Sequence, residues 1–197
     1  MPAPSLKVNE IFYSLQGEGL YTGVAAVFVR LSGCDMNCIF CDTKYANKVK
    51  KILTPQEILK EISKYPSKTV ILTGGEPAEQ DIGPLCLLLK DNGYQVHLET
   101  NGVRDINVKD IDHVTVSPKK RVNKKMLLKA DVIKIPVGKD TEQKEIKKYF
   151  KYAASDRYIY LQPLDNKKEN INLCVKIIKQ NPFLRLSLQI HKLINIR

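Results

Sequence analysis

The stretch of residues 24–43, VAAVFVRLSGCDMNCIFCDT, reads as a buried strand followed by a loop that contains three cysteines. The run of residues 24–31 is apolar and rich in β-branched side chains, as is typical of a strand that is covered on both faces. A Ser-Gly pair then interrupts the run, and Cys34, Cys38 and Cys41 follow in the spacing C-x₃-C-x₂-C. The pattern predicts a strand with a metal-binding loop at its end.

The number of cysteines in this loop restricts the kind of metal site. Structural zinc sites normally have four protein ligands, and iron–sulfur cubes normally have four cysteines. Three cysteines around an iron–sulfur cube leave one iron open, which favours a catalytic role over a structural one. The alternative is a zinc knuckle in which His97 or His113 supplies the fourth ligand.

Apolar runs of strand length alternate with helical patterns along most of the chain. The predicted strands are residues 25–31, 69–73, 95–99, 113–116, 131–136, 157–162 and 185–189. Helices with apolar residues at intervals of three and four are predicted around residues 82–89, 146–153 and 171–178. A further helix is predicted over residues 54–65, where Thr54, Pro55 and Glu57 form a capping box with proline at the first helical position.

The alternation of strands and helices predicts an α/β fold with a parallel sheet and the helices outside it. A closed eight-fold barrel typically needs about 250 residues, and this chain has 197. We therefore expect an open, partial (β/α)₆-type barrel that forms a single domain over residues 1–197. A flat, doubly wound sheet is the alternative.

In parallel α/β folds, ligands bind at the carboxyl ends of the strands. In this sequence, small and polar residues follow almost every predicted strand, which predicts that they meet at one edge of the sheet. These segments are the cysteine loop, residues 73–77, 99–102, 117–119 and 162–165, and His191, which we expect on the final loop.

Composition narrows the function classes. The net charge is +11, but the lysines are spread along the chain without a basic tail or a basic-aromatic alternation, so direct binding to nucleic acid is not expected. No apolar run approaches the roughly 20 residues that cross a bilayer, so no membrane association is expected. Five cysteines, of which Cys86 and Cys174 fall on apolar helix faces, fit a reducing cytoplasm.

The cysteine motif, with the aromatic Phe40 before Cys41, resembles that of the radical S-adenosylmethionine (SAM) enzymes. The resemblance implies a [4Fe–4S] cluster held by Cys34, Cys38 and Cys41, whose open iron binds SAM. An electron from the cluster then releases a 5′-deoxyadenosyl radical. By the same resemblance, the residues around SAM are Phe40, Cys41, Asp42, Gly75, Ser117, Pro118, Lys119, Gln162, Pro163, Leu164 and Asp165.

Further motifs resemble one family of these enzymes, the 7-carboxy-7-deazaguanine synthases. They are Ser-Leu-Gln-Gly-Glu-Gly at residues 14–19, Arg30, Cys-Asp-Thr at 41–43, Ser-Pro-Lys at 117–119, Gln-Pro-Leu-Asp at 162–165 and Leu-Gln-Ile-His-Lys at 188–192. The resemblance implies a ring contraction of 6-carboxy-5,6,7,8-tetrahydropterin to 7-carboxy-7-deazaguanine with loss of ammonia, in the biosynthesis of queuosine and related 7-deazapurines. SAM would be regenerated in each cycle.

The family resemblance also implies roles for individual residues. Arg30, Thr43 and His191 would be catalytic, and Thr43 would also bind Mg²⁺. The substrate would contact Leu15, Gln16, Gly17, Arg30, Thr73 and the terminal carboxylate of Arg197.

The expected partners are an electron donor such as flavodoxin or ferredoxin and a second copy of the chain.

The sequence departs from the family pattern in two features. Residues 78–80 are more polar than is usual in the family, and the chain has no tryptophan. Two alternatives are a radical SAM activase that installs a glycyl radical on a partner protein and an RNA-binding module.

Overall fold

The structure is a computed structural model that describes residues 4–36, 38–154 and 156–197. These residues form an α/β fold with mostly parallel strands. The strands are β1 (Leu6–Leu15), β2 (Ala25–Leu31), β3 (Lys51–Leu53), β4 (Thr69–Gly74), β5 (Gln95–Thr100), β6 (His113–Val116), β7 (Val132–Val137), β8 (Tyr158–Pro163) and β9 (Leu184–Leu186).

The helices lie mainly between successive parallel strands. They are α1 (Pro55–Ile62), α2 (Gly83–Asp91), α3 (Lys124–Lys129), α4 (Gln143–Lys147), α5 (Lys168–Gln180) and α6 (Ile190–Leu193). Helix α1 begins with the predicted capping box. The Thr54 backbone N–H donates to Glu57 Oε2 at 2.7 Å, and the Glu57 N–H donates to Thr54 Oγ1 at 3.3 Å. None of the helices in the described part of the chain is long and apolar enough to cross a membrane.

The chain divides into two compact units. The first comprises Met1–Ser14, Ala25–Thr100 and Arg104–Val114, and the second comprises Leu15–Val24, Asn101–Val103 and Thr115–Arg197. The expectation of one domain over residues 1–197 stays a prediction.

In the first unit the strand order is β3-β1-β2-β4-β5. Strands β2, β4 and β5 are parallel, with Val27 opposite Val70 and Val70 opposite Val96. Strand β3 is antiparallel to β1. The parallel strands contribute completely buried valines and leucines, and α1 and α2 cover them with Ile58, Ile62, Leu85 and Leu89. This core places the loops after β2 and β4 next to each other.

The strand order continues as β6-β7-β8-β9, and all three pairings are parallel. These strands belong to the second unit, except for His113 and Val114 at the start of β6, which fall in the first. Helix α5 packs against β8 and β9 through a buried face that includes Cys174 and Ile177. The residues after β6, β8 and β9 therefore emerge from the same ends of neighbouring strands.

The α/β prediction is confirmed, and all seven predicted strands are present. The predicted helix over residues 146–153 is wrong in extent. Helix α4 ends at Lys147 because the next amides bond three residues back, from Tyr149 to Ile146 and from Tyr152 to Tyr149, and a 3₁₀ turn follows. Strand β9 is shorter than predicted, and β1, β3, α3 and α6 were not predicted.

Candidate active site

The loop after β2 contains Cys34, Cys38 and Cys41, and all three are half-buried free thiols. Backbone hydrogen bonds between residues two and three positions apart give the loop its turns. The Cys38 N–H donates to the Met36 carbonyl at 3.0 Å, and the Cys41 N–H donates to the Cys38 carbonyl at 3.2 Å. The three sulfurs share one loop, but no three His, Cys, Asp or Glu side chains of the described residues converge as a metal-binding group.

The cysteines differ in burial: the three in the loop are half-buried, and Cys86 and Cys174 are buried in the core. Burial raises the pKa of Cys86 and Cys174 to about 12, so both remain neutral thiols inside the protein. Cys34 is far more accessible; partial burial raises its pKa, with a further contribution from the negative charges of Glu76 and Asp35. Three accessible sulfur donors on one loop fit an iron–sulfur cluster, which is bound through cysteine thiolates. Cys86 and Cys174 are buried, as expected from their positions on apolar helix faces.

The zinc alternative has no support in this structure. His97 lies in β5 and His113 in β6, and both side chains are buried. Their rings pack against each other with centroids 5.3 Å apart. Each imidazole is therefore part of the core of the first unit and does not complete a ligand set with the cysteine loop.

The Gly-Gly turn at the end of β4 packs directly against the residues that lead into the cysteine loop. Gly74 has a φ of +137°, and a Cβ atom there would lie 2.1 Å from the Leu31 carbonyl oxygen. A Cβ atom on Gly75 would lie 2.0 Å from the Gly33 carbonyl oxygen. That oxygen accepts the Glu76 N–H at 2.7 Å. The glycines therefore allow the close approach of two backbones, a requirement that is separate from the predicted contact of Gly75 with SAM.

Two polar residues after this turn fix its position. Glu76 is buried, and its carboxylate accepts the Ala78 N–H at 3.0 Å and the Thr100 hydroxyl at 2.5 Å. The Gln80 amide donates to the carbonyl oxygens of Ser32 and Lys7 at 3.1 and 3.0 Å. Gln80, one of the residues that make segment 78–80 more polar than is usual in the family, thus connects this segment to β1 and to the end of β2.

Arg30 and Thr73, two predicted substrate contacts, are opposite each other in the register of β2 and β4. Because the strands are parallel and in register, the two side chains lie on the same face of the sheet. Arg30 Nε donates to Glu10 Oε1 at 2.8 Å, and its guanidinium lies 5.6 Å from the ring centroids of Phe12 and Tyr45. The Tyr45 hydroxyl also donates to Glu10, at 3.2 Å.

The residues beside Cys41 are more open. Phe40 is 42% exposed, and Asp42 is also exposed. Thr43 Oγ1 lies 3.7 Å from the Cys41 sulfur, so its hydroxyl is next to a predicted cluster ligand. This places the predicted Mg²⁺ oxygen ligand beside the cysteine loop.

In the second unit, the predicted substrate segment Leu15–Gly17 contacts the predicted catalytic His191. The Ile190 N–H donates to the Gly17 carbonyl at 2.9 Å. A Cβ atom on Gly17 would lie 2.2 Å from His191 Nδ1, so only glycine leaves room for the imidazole. His191 belongs to α6, and the prediction of a loop at this position is wrong. Arg197 is exposed, as the last residue of the chain.

Glu18, which follows this segment, was not predicted as a site residue. Its carboxylate lies 2.5 Å from Lys134 Nζ on β7 and accepts a bond from the Gln189 amide at 2.9 Å. Burial alone would raise the pKa of Glu18, but the charge of Lys134, the bonds from Lys134 and Gln189 and the charge of His191 lower it to about 2. Its place in the Gln-Gly-Glu-Gly motif was the only sequence signal.

The predicted SAM contacts of the second unit follow β6 and β8. Lys119 Nζ donates to Ser117 Oγ at 2.9 Å, and Pro118 between them is buried. At the end of β8, Gln162 Oε1 accepts the Ser187 hydroxyl at 3.1 Å. Pro163 is buried, Leu164 is half-buried, and Asp165 is exposed in the left-handed conformation, with a φ of 55°.

Comparisons with known proteins agree with these features. A sequence model of the radical SAM superfamily matches residues 28–151. The chain is 44% identical over 191 residues to a 7-carboxy-7-deazaguanine synthase of Bacteroides thetaiotaomicron, covering 97% of this chain and 98% of that protein. It is 34% identical over 220 residues to the 7-carboxy-7-deazaguanine synthase of Escherichia coli K12, covering 96% of this chain and 98% of that protein.

The fold comparison gives the same family. The crystal structure of QueE from Escherichia coli superposes with a TM-score of 0.83 at 32% identity, covering 95% of each chain. The matched regions include the cysteine loop and the Gly-Gly turn, which lie within residues 28–151. The chain therefore belongs to the 7-carboxy-7-deazaguanine synthase family of radical SAM enzymes.

Proposed function

We propose that this enzyme contracts the ring of 6-carboxy-5,6,7,8-tetrahydropterin to give 7-carboxy-7-deazaguanine and ammonia, in the biosynthesis of queuosine and related 7-deazapurines. The main support is the 44% identity to a synthase over 97% of the chain. The reaction class follows from the family: it is a radical SAM lyase that uses a [4Fe–4S] cluster, SAM and Mg²⁺.

When bound, the cluster and SAM supply a hydrogen-abstracting radical. The thiolates of Cys34, Cys38 and Cys41 would bind three of the four irons of the cluster. The Thr43 hydroxyl, beside Cys41, supplies an oxygen to Mg²⁺, a hard cation that prefers oxygen ligands. The substrate carboxylate would be a further oxygen ligand of Mg²⁺.

Arg30 binds the substrate carboxylate or a pterin oxygen in this proposal. Its guanidinium is planar and carries several donors, and the bond to Glu10 occupies Nε alone. Phe12 and Tyr45 restrict the rotation of the guanidinium. Thr73 lies on the same face of the sheet and supplies a hydroxyl to the same ligand.

Further substrate contacts are assigned to the segment Leu15–Gly17 and to helix α6 in this proposal. Leu15, Gln16 and Gly17 line the pterin, and His191 donates a hydrogen bond to it. The contact between Gly17 and His191 supports their joint role, because it fixes the imidazole beside the segment. Arg197 is the last proposed substrate contact.

We assign the SAM contacts to the cysteine loop and the strand ends. Gly75 approaches the methionyl amine, and the backbone around Phe40, Cys41 and Asp42 contacts the adenine. Lys119, held against Ser117, supplies a cation for the carboxylate of SAM. The remaining contacts are made by Pro118, Gln162, Pro163, Leu164 and Asp165.

The proposed partners are an electron donor and a second copy of the chain. A flavodoxin or ferredoxin would supply the electron that first reduces the cluster, and this electron is not consumed because the reaction is redox-neutral and SAM is regenerated. The homodimer is expected from the family. All five cysteines are free, which supports a reducing cytoplasm. No contact with nucleic acid or membrane is required by the reaction.

The test is anaerobic purification and reconstitution, followed by measurement of iron, sulfide and zinc. The same sample then receives SAM, dithionite, Mg²⁺ and 6-carboxytetrahydropterin, and mass spectrometry follows the products. About four irons per chain and a deazaguanine product would support the proposal. Iron with only 5′-deoxyadenosine would leave a radical SAM enzyme of another kind, such as an activase, and zinc without a cluster would contradict the assignment.

A further inference from the structure

We propose that Glu18 and Lys134 are positioning residues, which hold the segment Leu15–Gly17 in its pterin-binding conformation. The inference rests on the proposed function, because it takes the pterin as the ligand of that segment. It assigns a role to the acidic residue of the Gln-Gly-Glu-Gly motif and to a buried lysine that no sequence motif marked.

The ion pair is buried in the second unit. The side chain of Lys134 is 5% exposed and that of Glu18 is 17% exposed, and their charged atoms are 2.5 Å apart. Gln189 donates to the other carboxylate oxygen at 2.9 Å, and Lys192 Nζ donates to the Gln189 side-chain oxygen at 2.9 Å. Glu18 therefore links β7 to the segment that follows β9.

The backbone on both sides of Glu18 is held by the same segment. The Gly17 carbonyl accepts the Ile190 N–H at 2.9 Å, and the Gly19 N–H donates to Ser187 Oγ at 3.0 Å. The Glu18 N–H donates to Gln16 Oε1 at 3.2 Å, so the conformation of Glu18 also orients the side chain that is assigned to the pterin. Loss of the ion pair would release the side chain of Glu18, which lies between the two bonded residues Gly17 and Gly19.

A role in stability alone does not explain the position of the Glu18–Lys134 ion pair. Replacing a buried ion pair by apolar residues is often neutral or stabilising, whereas removing one partner leaves a costly unpaired charge. The pair lies directly beside the predicted substrate residues. The segment that it fixes includes Leu15, which is about two-fifths exposed, and the nearby Leu20 is equally exposed. The geometry points to conformational control of that segment.

The test compares Lys134→Met, Lys134→Arg and Ile177→Val in the reconstituted holoenzyme with SAM present. Lys134→Met removes the charge and keeps an unbranched side chain that is one atom shorter, while Lys134→Arg keeps the charge. Ile177→Val removes a buried methylene from α5 of the same unit and controls for stability. The measurements are KM and kcat for the pterin substrate, the dissociation constant of 6-carboxypterin and the midpoint of thermal unfolding.

We expect Lys134→Met to raise KM and the 6-carboxypterin dissociation constant by about tenfold or more, because small displacements of substrate contacts have effects of this size. Lys134→Arg should recover most of the affinity, and Ile177→Val should keep it while lowering the thermal midpoint. Unchanged KM and pterin affinity in folded Lys134→Met would overturn the inference. So would an equal loss of affinity in Ile177→Val.

If Lys134→Met does not fold, the double variant Glu18→Gln/Lys134→Met replaces it in the binding measurements. Neither residue of the pair is then left as an unpaired buried charge. Weak pterin binding by the folded double variant supports the positioning role, and wild-type affinity contradicts it. Failure of the proposed function looks different: wild-type enzyme would then neither bind 6-carboxypterin nor form the deazaguanine product. If only the inference is wrong, the wild-type reaction proceeds and the variants match it.

Discussion

The carbonyl oxygen of Gly33 lies 2.0 Å from the position that a Cβ atom would take on Gly75. Real Cβ atoms do not tolerate such a contact with a carbonyl oxygen, so the turn after β4 and the residues before Cys34 fit together only while residue 75 is glycine. The Gly33 oxygen is also the acceptor for the Glu76 N–H. The geometry of the turn and that of the cysteine loop therefore depend on each other.

Gly75→Ala should move the entry to the cysteine loop, because the added methyl group meets backbone that cannot rotate away. We expect a loss of stability of about 1–3 kcal/mol and reduced iron content after reconstitution, measured by denaturant unfolding and iron analysis. Gly83→Ala is the matched control, since its nearest neighbour would be Asp81 Oδ1 at 3.3 Å. Equal iron content in both variants would contradict the argument.

Cys38→Ala should abolish cluster assembly and turnover, because two thiolates do not hold a [4Fe–4S] cluster with one open iron. Cys174→Ala should keep both, since burial raises the pKa of Cys174 to about 12 and the thiol serves only the core. Visible absorbance and iron content distinguish the two. A fully active Cys38→Ala enzyme would rule out the assigned ligand set.

Thr43→Ala should weaken the dependence of the reaction on Mg²⁺ while leaving the visible absorbance of the cluster intact. The reason is that its hydroxyl is beside Cys41 but is not itself a cluster ligand in the proposal. Thr43→Ser keeps the oxygen and should restore the response to Mg²⁺. The measurement is activity against Mg²⁺ concentration; loss of the cluster in Thr43→Ala would show that the hydroxyl has a different role.

The ionisation of Glu18 should make the free energy of unfolding depend on pH below about pH 5. Its pKa is lowered from 4.5 to about 2 in the folded protein, so the carboxylate contributes stability above pH 4.5 and loses it as the pH falls toward about 2. The difference corresponds to about 3 kcal/mol. Glu18→Gln should therefore be less stable than wild type at pH 7, and the gap should narrow between pH 5 and about 2.

Denaturant unfolding of the cluster-free full-length chain measures this gap without interference from acid loss of the cluster. Glu142→Gln is the control, since Glu142 and its partner Lys144 are both more than three-fifths exposed. Exposed ion pairs contribute little, so this variant should follow wild type at every pH. A gap between Glu18→Gln and wild type that stayed constant with pH would contradict the assigned pKa.

The elements that the sequence predicted best are those whose apolar pattern matches their burial. Strand β1 was missed because its pattern is irregular. Asn9, which lies between Val8 and Glu10, is buried, and its amide donates to the carbonyl oxygens of Tyr45 and Lys48 at 3.1 and 2.7 Å. Such a residue interrupts the hydrophobic run, and its partners lie 36 and 39 residues away in sequence. Local pattern does not contain that information.

The candidate site shows the same division. The cysteine spacing and the Gly-Gly turn are visible in the sequence because they are local, whereas the role of Thr43 was taken from the family resemblance; the roles of all these residues stay predictions. The supporting groups were not: Glu10 lies 20 residues from Arg30, and Glu18 lies 116 residues from Lys134. An ordinary glutamate and an ordinary lysine acquire their roles only when distant strands pack.

The bond between Gly19 and Ser187 joins residues 168 positions apart. During translation at about 5–20 residues per second, residues 15–24 must wait roughly 10–30 s for that partner to be made. Contacts of such long sequence separation also slow folding, because the intervening chain must be closed into a loop. The Gln-Gly-Glu-Gly motif is thus made early and structured late, so Gly19 is without this hydrogen-bond acceptor while most of the second unit is still being synthesised.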